Sequence, residues 1–197
     1  MHAELTDRDT LVLEACLGLL GNAGIALAQD VEPDDVEDAV ADVLETFRAY
    51  PLTTVAGLDD PEGAPLLAGA VISGADVAEV PGDIESIIAT VERFAGAAGA
   101  EANDVAVVPD PETGGATGSV RIRFGTWDIA DIDYSFEDGA DPRDFELDVV
   151  AAALPLDAAA ATFPTPDGRD VTLFIPAGAD RDAVDDLFAV IEDEFSA

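Results

Sequence analysis

Apolar positions in the first fifty residues recur with helical spacing. Between Leu11 and Ala28 they nearly surround one helix, so several neighbours or a second subunit must bury it. Glycines at every third position of this run favour close packing against another helix. From Pro33 onward, apolar residues follow the i, i+3, i+4, i+7 spacing with acidic residues opposite, and Pro51 ends this second helix. We therefore interpret residues 1–51 as an N-terminal helical segment packed on the main domain.

The middle of the chain predicts a mixture of strands and one helix. Two candidate strands, 53–58 and 66–73, flank an acidic turn, although the alanines and leucines of the second also suit a helix. A third helix is expected from about Asp83, a suitable cap, to Ala95, because its isoleucines, Val91 and Phe94 share one face.

From residue 104 the apolar period changes to two, which is typical of strands with one buried face. The predicted strands are 104–108, 119–124 and 130–136. A five-residue connection at 125–129 would place Ile122 opposite Ile132. The same register would place Arg121 and Arg123 opposite Asp133 and Asp131, so both faces are satisfied.

The last third of the chain continues this pattern. Phe145, Leu147 and Val149 alternate and predict a strand, and the alanine-rich stretch 151–161 suits a strand, a short helix or both. A hairpin is expected between 161–165 and 171–175, and a terminal helix from about residue 180. The predicted class is α+β: N-terminal helices, then a mainly antiparallel β-meander closed by a C-terminal helix. Residues 52–197 form the α+β domain, unless the whole chain is one domain.

The composition changes the interpretation of this fold. The 197 residues contain 43 acidic side chains and 8 basic ones, and every basic one is an arginine, so the formal charge is -35. Hydrophobic residues nevertheless make up 49% of the chain, which is enough to form a core. At about 1 M salt the Debye length is only ~3 Å, so surface carboxylates repel one another weakly. We therefore predict a halophilic protein that requires high KCl. A dedicated acidic partner of a basic molecule is less favoured, because the acids are spread along the chain.

The same sequence predicts a cytoplasmic protein without a membrane partner. Its N-terminus is acidic, unlike the positive start of a secretory signal. The apolar run 11–28 contains Glu14 and Asn22, so we interpret it as a buried helix.

Missing residue types exclude most familiar catalytic machinery. Without lysine there is no phosphate-binding lysine loop and no Schiff base, and one histidine (His2) forms neither a catalytic triad nor a histidine metal site. Cys16 lies in an apolar helix, where its pKa should rise. We expect no cofactor and favour a protein that is not an enzyme. Only Arg121 and Arg123 form a basic patch, so no nucleic-acid partner is predicted.

Carboxylates are the one remaining chemical resource. Nine acids lie between 128 and 148, and their oxygens would suit a divalent metal or glycoside hydrolysis. The weak metal candidates are Asp131, Asp133, Asp138 and Asp141. A solvated sheet face with aspartates paired to arginines is the favoured interpretation, because such clusters arise from this composition alone.

These observations favour a protein that acts through protein–protein contacts, as an adaptor or a homo-oligomer subunit. The alternatives are a carboxylate-dependent metal-binding protein or hydrolase using residues 128–148, and a small-ligand-binding module with a pocket beside the meander. The interface candidates are Trp127, Arg121 and Arg123 near a hairpin loop, and Leu13, Leu17 and Leu20 on the first helix.

Overall fold

The computed structural model describes residues 4–73, 84–125, 128–137, 142–155 and 158–196. Over these residues it contains seven helices and two antiparallel three-stranded sheets, which confirms the predicted α+β class. The helices are α1 (Asp7–Asn22), α2 (Pro33–Asp42), α3 (Leu44–Ala49), α4 (Pro51–Ala56), α5 (Ile84–Ala97), α6 (Pro142–Ala153) and α7 (Arg181–Ser196). The strands are β1 (Ala70–Ser73), β2 (Ala102–Pro109), β3 (Thr117–Phe124), β4 (Asp128–Ser135), β5 (Ala159–Pro164) and β6 (Asp170–Ile175).

The chain forms two compact units. Unit 1 consists of Met1–Gly74 and Asp157–Ala197, and unit 2 consists of Ala75–Leu156. Unit 1 contains α1 to α4, β1, β5, β6 and α7, whereas unit 2 contains α5, the three strands β2 to β4, and α6. The domain boundary proposed at residue 51 from the sequence stays a prediction.

Unit 1 is built around a sheet in the order β1-β6-β5, and every residue of the central strand β6 is buried. The first helix, α1, packs against α4 and α7 and buries Leu13, Cys16 and Leu20. Its apolar side chains are therefore buried mainly by its own chain. The second predicted helix is interrupted at Val43, where α2 gives way to α3.

The strand predicted over 53–58 is wrong, because this segment belongs to helix α4. Pro51 occupies the first turn of α4, where a missing N–H costs nothing. The Glu194 carboxylate of α7 then accepts hydrogen bonds from the N–H groups of Leu52 and Thr53. A distant residue thus stabilises a helix in a sequence of β-branched residues. In the second predicted strand, 66–73, only the last four residues form a strand, which is β1 (Ala70–Ser73).

Unit 2 has a sheet in the order β2-β3-β4 with two helices packed on it. Phe145 of α6 lies against Tyr134 and Phe136, at ring-centroid distances of 6.2 and 6.0 Å. The strand predicted around Phe145, Leu147 and Val149 is therefore wrong. Phe145 and Val149 are buried one helical turn apart, whereas Leu147 is exposed.

The predicted β3–β4 register is wrong by two residues. Ile122 pairs with Ala130 rather than Ile132, and Arg121 pairs with Asp131 rather than Asp133, because the connection between the strands is shorter than the five residues expected. Successive side chains alternate between faces, so a shift of two leaves every residue on its predicted face.

Other predictions are confirmed. Helix α5, the β5–β6 hairpin and the terminal helix α7 lie close to their expected positions, although the proposed cap Asp83 lies outside the described residues. Within the described chain, Gly18 and Gly21 do not have the packing role predicted for the α1 glycines, since a Cβ added at either position would meet no atom within 4 Å. Gly24 has φ +85°, and a Cβ would lie 2.8 Å from Pro176 Cγ, so this position requires glycine.

Candidate interaction surface

One face of the unit 2 sheet is open to solvent, and we call it the open face. The central strand β3 shows this directly, since Val120 and Ile122 are buried and Arg121 and Arg123 are exposed. The open face comprises Asp104, Ala106, Val108, Ser119, Arg121, Arg123, Ile129, Asp131, Asp133 and Ser135. Most of the charged residues singled out from the sequence therefore lie together on this surface.

Two β-branched apolar side chains lie on the open face. Val108 of β2 is 60% exposed and Ile129 of β4 is 59% exposed, on the two outer strands. Single exposed apolar residues are common on protein surfaces, but two on one small sheet offer apolar area to a partner.

The arginines of the open face are held by aspartates on neighbouring strands. Arg121 donates from Nε to Asp131 Oδ1 at 2.7 Å and from Nη2 to Asp131 Oδ2 at 3.2 Å. These hydrogen bonds hold the pKa of the Asp131 carboxyl below its usual value. Arg123 Nη1 lies 2.9 Å from Asp104 Oδ2 on the other neighbouring strand. Both guanidinium groups are thus paired with an aspartate of a neighbouring strand.

These pairs also make the open face nearly neutral. It carries two arginines against three aspartates, whereas the whole chain carries 43 acidic and 8 basic side chains. Another acidic protein would therefore meet less repulsion here than at an average part of the surface.

Both outer strands resist pairing with another sheet. β2 has an irregular register between Asn103 and Ala106, Asp104 has φ 51°, and the strand ends at Pro109. β4 presents Asp131 and Asp133, whose charges would face one another in a paired copy. Irregularities, proline and charge are usual protections of edge strands. A partner is therefore expected on the face of this sheet rather than at its edges.

The interface candidates on α1 occupy a different environment. Leu13 and Leu20 are 2% and 1% exposed in the core of unit 1, and Leu17 is half-buried. Leu11, which was not among the candidates, is 66% exposed. A partner of the folded chain can touch Leu11 but cannot reach Leu13 or Leu20.

The remaining candidates give little further chemistry. Trp127, Asp138 and Asp141 lie outside the described residues. Among those described, no group of three or more histidine, cysteine, aspartate or glutamate side chains is arranged to hold a metal. Asp131 is already bound by Arg121.

Cys16 lies in the core of unit 1. Burial raises the pKa of its thiol to about 12, and the negative charge of Glu194 adds to the effect. The thiol thus stays protonated near neutral pH, where only the thiolate is a good nucleophile.

Two ion pairs in unit 1 join segments distant in sequence. Arg48 of α3 donates to both oxygens of Asp9 of α1, at 2.9 and 2.7 Å, and Asp9 also accepts from the N–H of Thr6. Arg169, beside the β5–β6 turn, donates to Asp59 and to the carbonyl oxygen of Gly57. We interpret both as structural, since each crosslinks elements of the core.

Sequence reasoning missed Val108 and Ile129. Ile129 shares the outward parity of Asp131 and Asp133, so beginning the predicted strand one residue earlier would have placed it on their face. No comparable signal marks Val108, because it follows another valine and the chain beyond the bulge could face either way.

Comparisons with known proteins add no identification, since the chain matches no protein-family model, no curated protein and no solved structure. None of the helices in the described ranges is long and apolar enough to cross a membrane.

Proposed function

We propose that this chain is a non-enzymatic protein that acts through protein–protein contacts in the salt-rich cytoplasm of a halophile. The observation that supports this proposal is the open face, where exposed Val108 and Ile129 share the surface with arginines paired to aspartates. The partner is another protein, docked on the face of the sheet. Aliphatic contact supplies the favourable energy and the paired charges set the orientation.

High salt is part of the proposal. With a formal charge of -35, two such molecules repel strongly in dilute buffer. At molar KCl this repulsion is screened while the apolar contact persists, so association should strengthen as KCl rises.

The alternative metal-dependent or hydrolytic role has less support. Asp131, one of its four candidates, is bound by Arg121 through two hydrogen bonds. Calorimetry with Mg²⁺ or Ca²⁺ in high KCl tests this alternative, because saturable binding lost in Asp131→Asn/Asp133→Asn would support it. Within the described ranges, no specific side-chain arrangement favours a small-ligand role.

The main test is capture of a partner from halophile extract in multi-molar KCl. The double variant Val108→Thr/Ile129→Thr keeps the β-branched shape that strands favour but removes the apolar contact. We expect it to retain at least about tenfold less of the protein held by the wild-type chain. Leu147→Gln is the matched control, since Leu147 is 47% exposed on α6 of the same unit.

The proposal is wrong if the wild-type chain retains no protein at native salt. It also fails if the double variant and the control retain the same protein equally well, since contact would then not involve the open face.

A further inference from the structure

The outer strand β5 of the unit 1 sheet lacks most of the protections that the outer strands of unit 2 carry. Its residues, Ala159–Pro164, include no charged side chain, in a chain of which 26% is charged. It pairs with β6 in an unbroken register, so no bulge interrupts it. Pro164, at its last position, is the one common protection of edge strands among these residues. We call the side of this strand that faces away from β6 the β5 edge.

The backbone of β5 presents hydrogen-bonding groups at this edge. Just beyond the strand and in the same register, the N–H of Thr165 donates to the carbonyl oxygen of Arg169. Backbone groups alternate in direction along an antiparallel strand, so the odd-numbered residues of β5 bond to β6. Ala160 and Thr162 therefore point their N–H and C=O groups away from β6. No hydrogen bond in the described part of the chain reaches these groups.

We infer that the β5 edge binds the β5 edge of a second copy, with the two strands antiparallel. A two-fold axis at Ala161 places Ala160 of each copy opposite Thr162 of the other. The N–H groups of both residues then donate to the C=O groups of the other copy, so each outward-facing group is paired. Every contact occurs twice, as an isologous interface requires, and the two three-stranded sheets become one continuous sheet.

The side chains that this register brings together suit closely spaced strands. Residues whose backbone groups point inward form the close pairs across the axis, with Cα atoms about 4.5 Å apart. These pairs are Ala161 with Ala161 and Ala159 with Phe163, so none joins two large side chains. Phe195 of α7 lies against Phe163, with ring centroids 6.4 Å apart, and is 45% exposed. The incoming Ala159 therefore meets apolar surface.

A second copy suits this edge because its own β5 brings no charge to it. Two molecules of formal charge -35 repel each other, and an uncharged strand lets them meet where local repulsion is small. Asp167, the first charged residue after β5, is itself paired with Arg169. Screening of the remaining charge should strengthen dimerisation as KCl rises.

The expected dimer is weak. One pair of short strands covers less than the ~800 Å² per partner of a standard interface, so the complex should be reversible. The β5 edge belongs to unit 1, whereas the proposed function concerns the open face of unit 2. The inference therefore goes beyond the proposed function and can fail without it.

The experiment is sedimentation equilibrium of the full chain in multi-molar KCl over a range of concentrations. Thr162→Pro removes an outward N–H, at an edge position where proline is tolerated, and should weaken the dimer at least about tenfold. Thr162→Val is the matched control. Both variants lose the 2.9 Å contact between Thr162 Oγ1 and Thr172 Oγ1, but valine keeps the N–H, so it should dimerise like the wild type.

A second measurement needs no variant. In the wild type, the amide protons of Ala160 and Thr162 should exchange several-fold more slowly as concentration rises, because dimerisation pairs them. The amides of Asp131 and Asp133 are the control. They point outward from the protected edge of β4, as the bond from Phe136 N–H to Ala116 shows, and should exchange at one rate at every concentration.

A chain that stays monomeric at every concentration overturns the inference. So does a dimer equally stable in Thr162→Pro and Thr162→Val. If Thr162→Pro does not fold, exchange decides the question, because protection of Ala160 and Thr162 that does not change with concentration also overturns it. Thr162→Pro that folds should still capture a partner through the open face, so the loss of the dimer and the loss of that partner are distinguishable.

Discussion

The two sheets of this protein contrast in how they are covered. In unit 1, all six residues of the central strand β6 are buried, so this strand packs on both faces. In unit 2, the central strand β3 alternates between buried and exposed residues over its second half, because only one face is covered. The central strand of the unit 1 sheet is therefore part of a core, whereas one face of the unit 2 sheet is available for contact with solvent or a partner.

The ion pairs differ in the same way. Asp9, paired with Arg48 in unit 1, has a side chain only 7% exposed, and the pair spans 39 residues of sequence. In unit 2, Arg121 and Asp131 are 64% and 60% exposed and lie on neighbouring strands. The Arg48 side chain is itself 49% exposed, so the contrast rests on Asp9, whose buried carboxylate would lose its charge partner if Arg48 were removed. In the Arg121–Asp131 pair, water can replace either partner. Similar arginine–aspartate chemistry thus has a structural role in one unit and a surface role in the other.

The largest expected difference between the units is in their response to salt. Lowering KCl restores repulsion among the carboxylates and should unfold the whole chain in dilute buffer. Hydrogen exchange at intermediate KCl should show β6 amides protected on the order of tenfold more than those of β3, the central strand of unit 2, because β6 is covered on both faces and β3 on one. A chain that stays folded in dilute buffer, or equal protection of the two strands, would contradict this prediction.

The loss of unfolding free energy after a side-chain truncation should also differ clearly between the core of unit 1 and the open face of unit 2. Leu13→Ala removes a buried side chain from unit 1 and should cost about 2–5 kcal/mol of unfolding free energy. Val108→Ala, on the open face of unit 2, should change it by less than about 0.5 kcal/mol. Thermal unfolding in high KCl measures both, and equal losses would show that the open face is covered.

Glu194 tests how strongly unit 1 depends on a contact between its two chain segments. Its carboxylate accepts from Leu52 N, Thr53 N and Thr53 Oγ1, at 2.8, 3.0 and 2.8 Å. Glu194→Ala leaves these buried donors without a partner and should cost about 2–3 kcal/mol. Asp193→Ala, the exposed neighbour, serves as the control in the same denaturation series. Equal effects of the two variants would remove the assigned role of Glu194.

The two ion pairs should also differ, by a smaller amount, in pH dependence. Hydrogen bonds from Arg48 and Thr6 hold the pKa of Asp9 well below its usual value. Its contribution to stability is complete above the unfolded-state pKa of about 3.9, and is lost as pH falls through the lower folded-state value.

The stability difference between wild type and Asp9→Asn should therefore shrink as pH falls from 6 toward about 2. The same comparison with Asp131→Asn should give a smaller and flatter difference, because that pair is mostly exposed to solvent. Urea titrations at each pH measure both, and parallel curves for the two variants would contradict the contrast.

Local patterns predicted the elements whose residues determine their own structure. The Pro166-Asp167-Gly168 turn between alternating segments specified the β5–β6 hairpin. The strand predicted from the alternation of Phe145, Leu147 and Val149 was wrong. Phe145 and Val149 also fit one face of a helix, and only packing in unit 2 decides between a strand and a helix there. The strand predicted over 53–58 was wrong for a different reason. The segment forms helix α4, and Glu194, whose carboxylate accepts from the N–H of Leu52, lies 142 residues away in the sequence.

The sequence predicted which face of the sheet the charged residues occupy, but not which residues pair across neighbouring strands. Alternation alone placed Arg121 and Asp131 on the exposed face of the sheet. Loop length decides which residues face one another, and registers two residues apart satisfy the alternation equally well. The partner of Arg123 was missed because Asp104 reaches it from an irregular strand that no sequence period marks.

The order of the two units along the chain has a consequence for synthesis. Strand β1 pairs with β6, and all of unit 2 lies between these strands in the sequence. As the polypeptide leaves the ribosome, β1 emerges well before β6. Until β6 is synthesised, the first four helices and β1 lack the central strand of their sheet. Unit 2 has all its strands and helices in one continuous stretch and can fold during that interval. We therefore expect the nascent chain to complete unit 2 before unit 1.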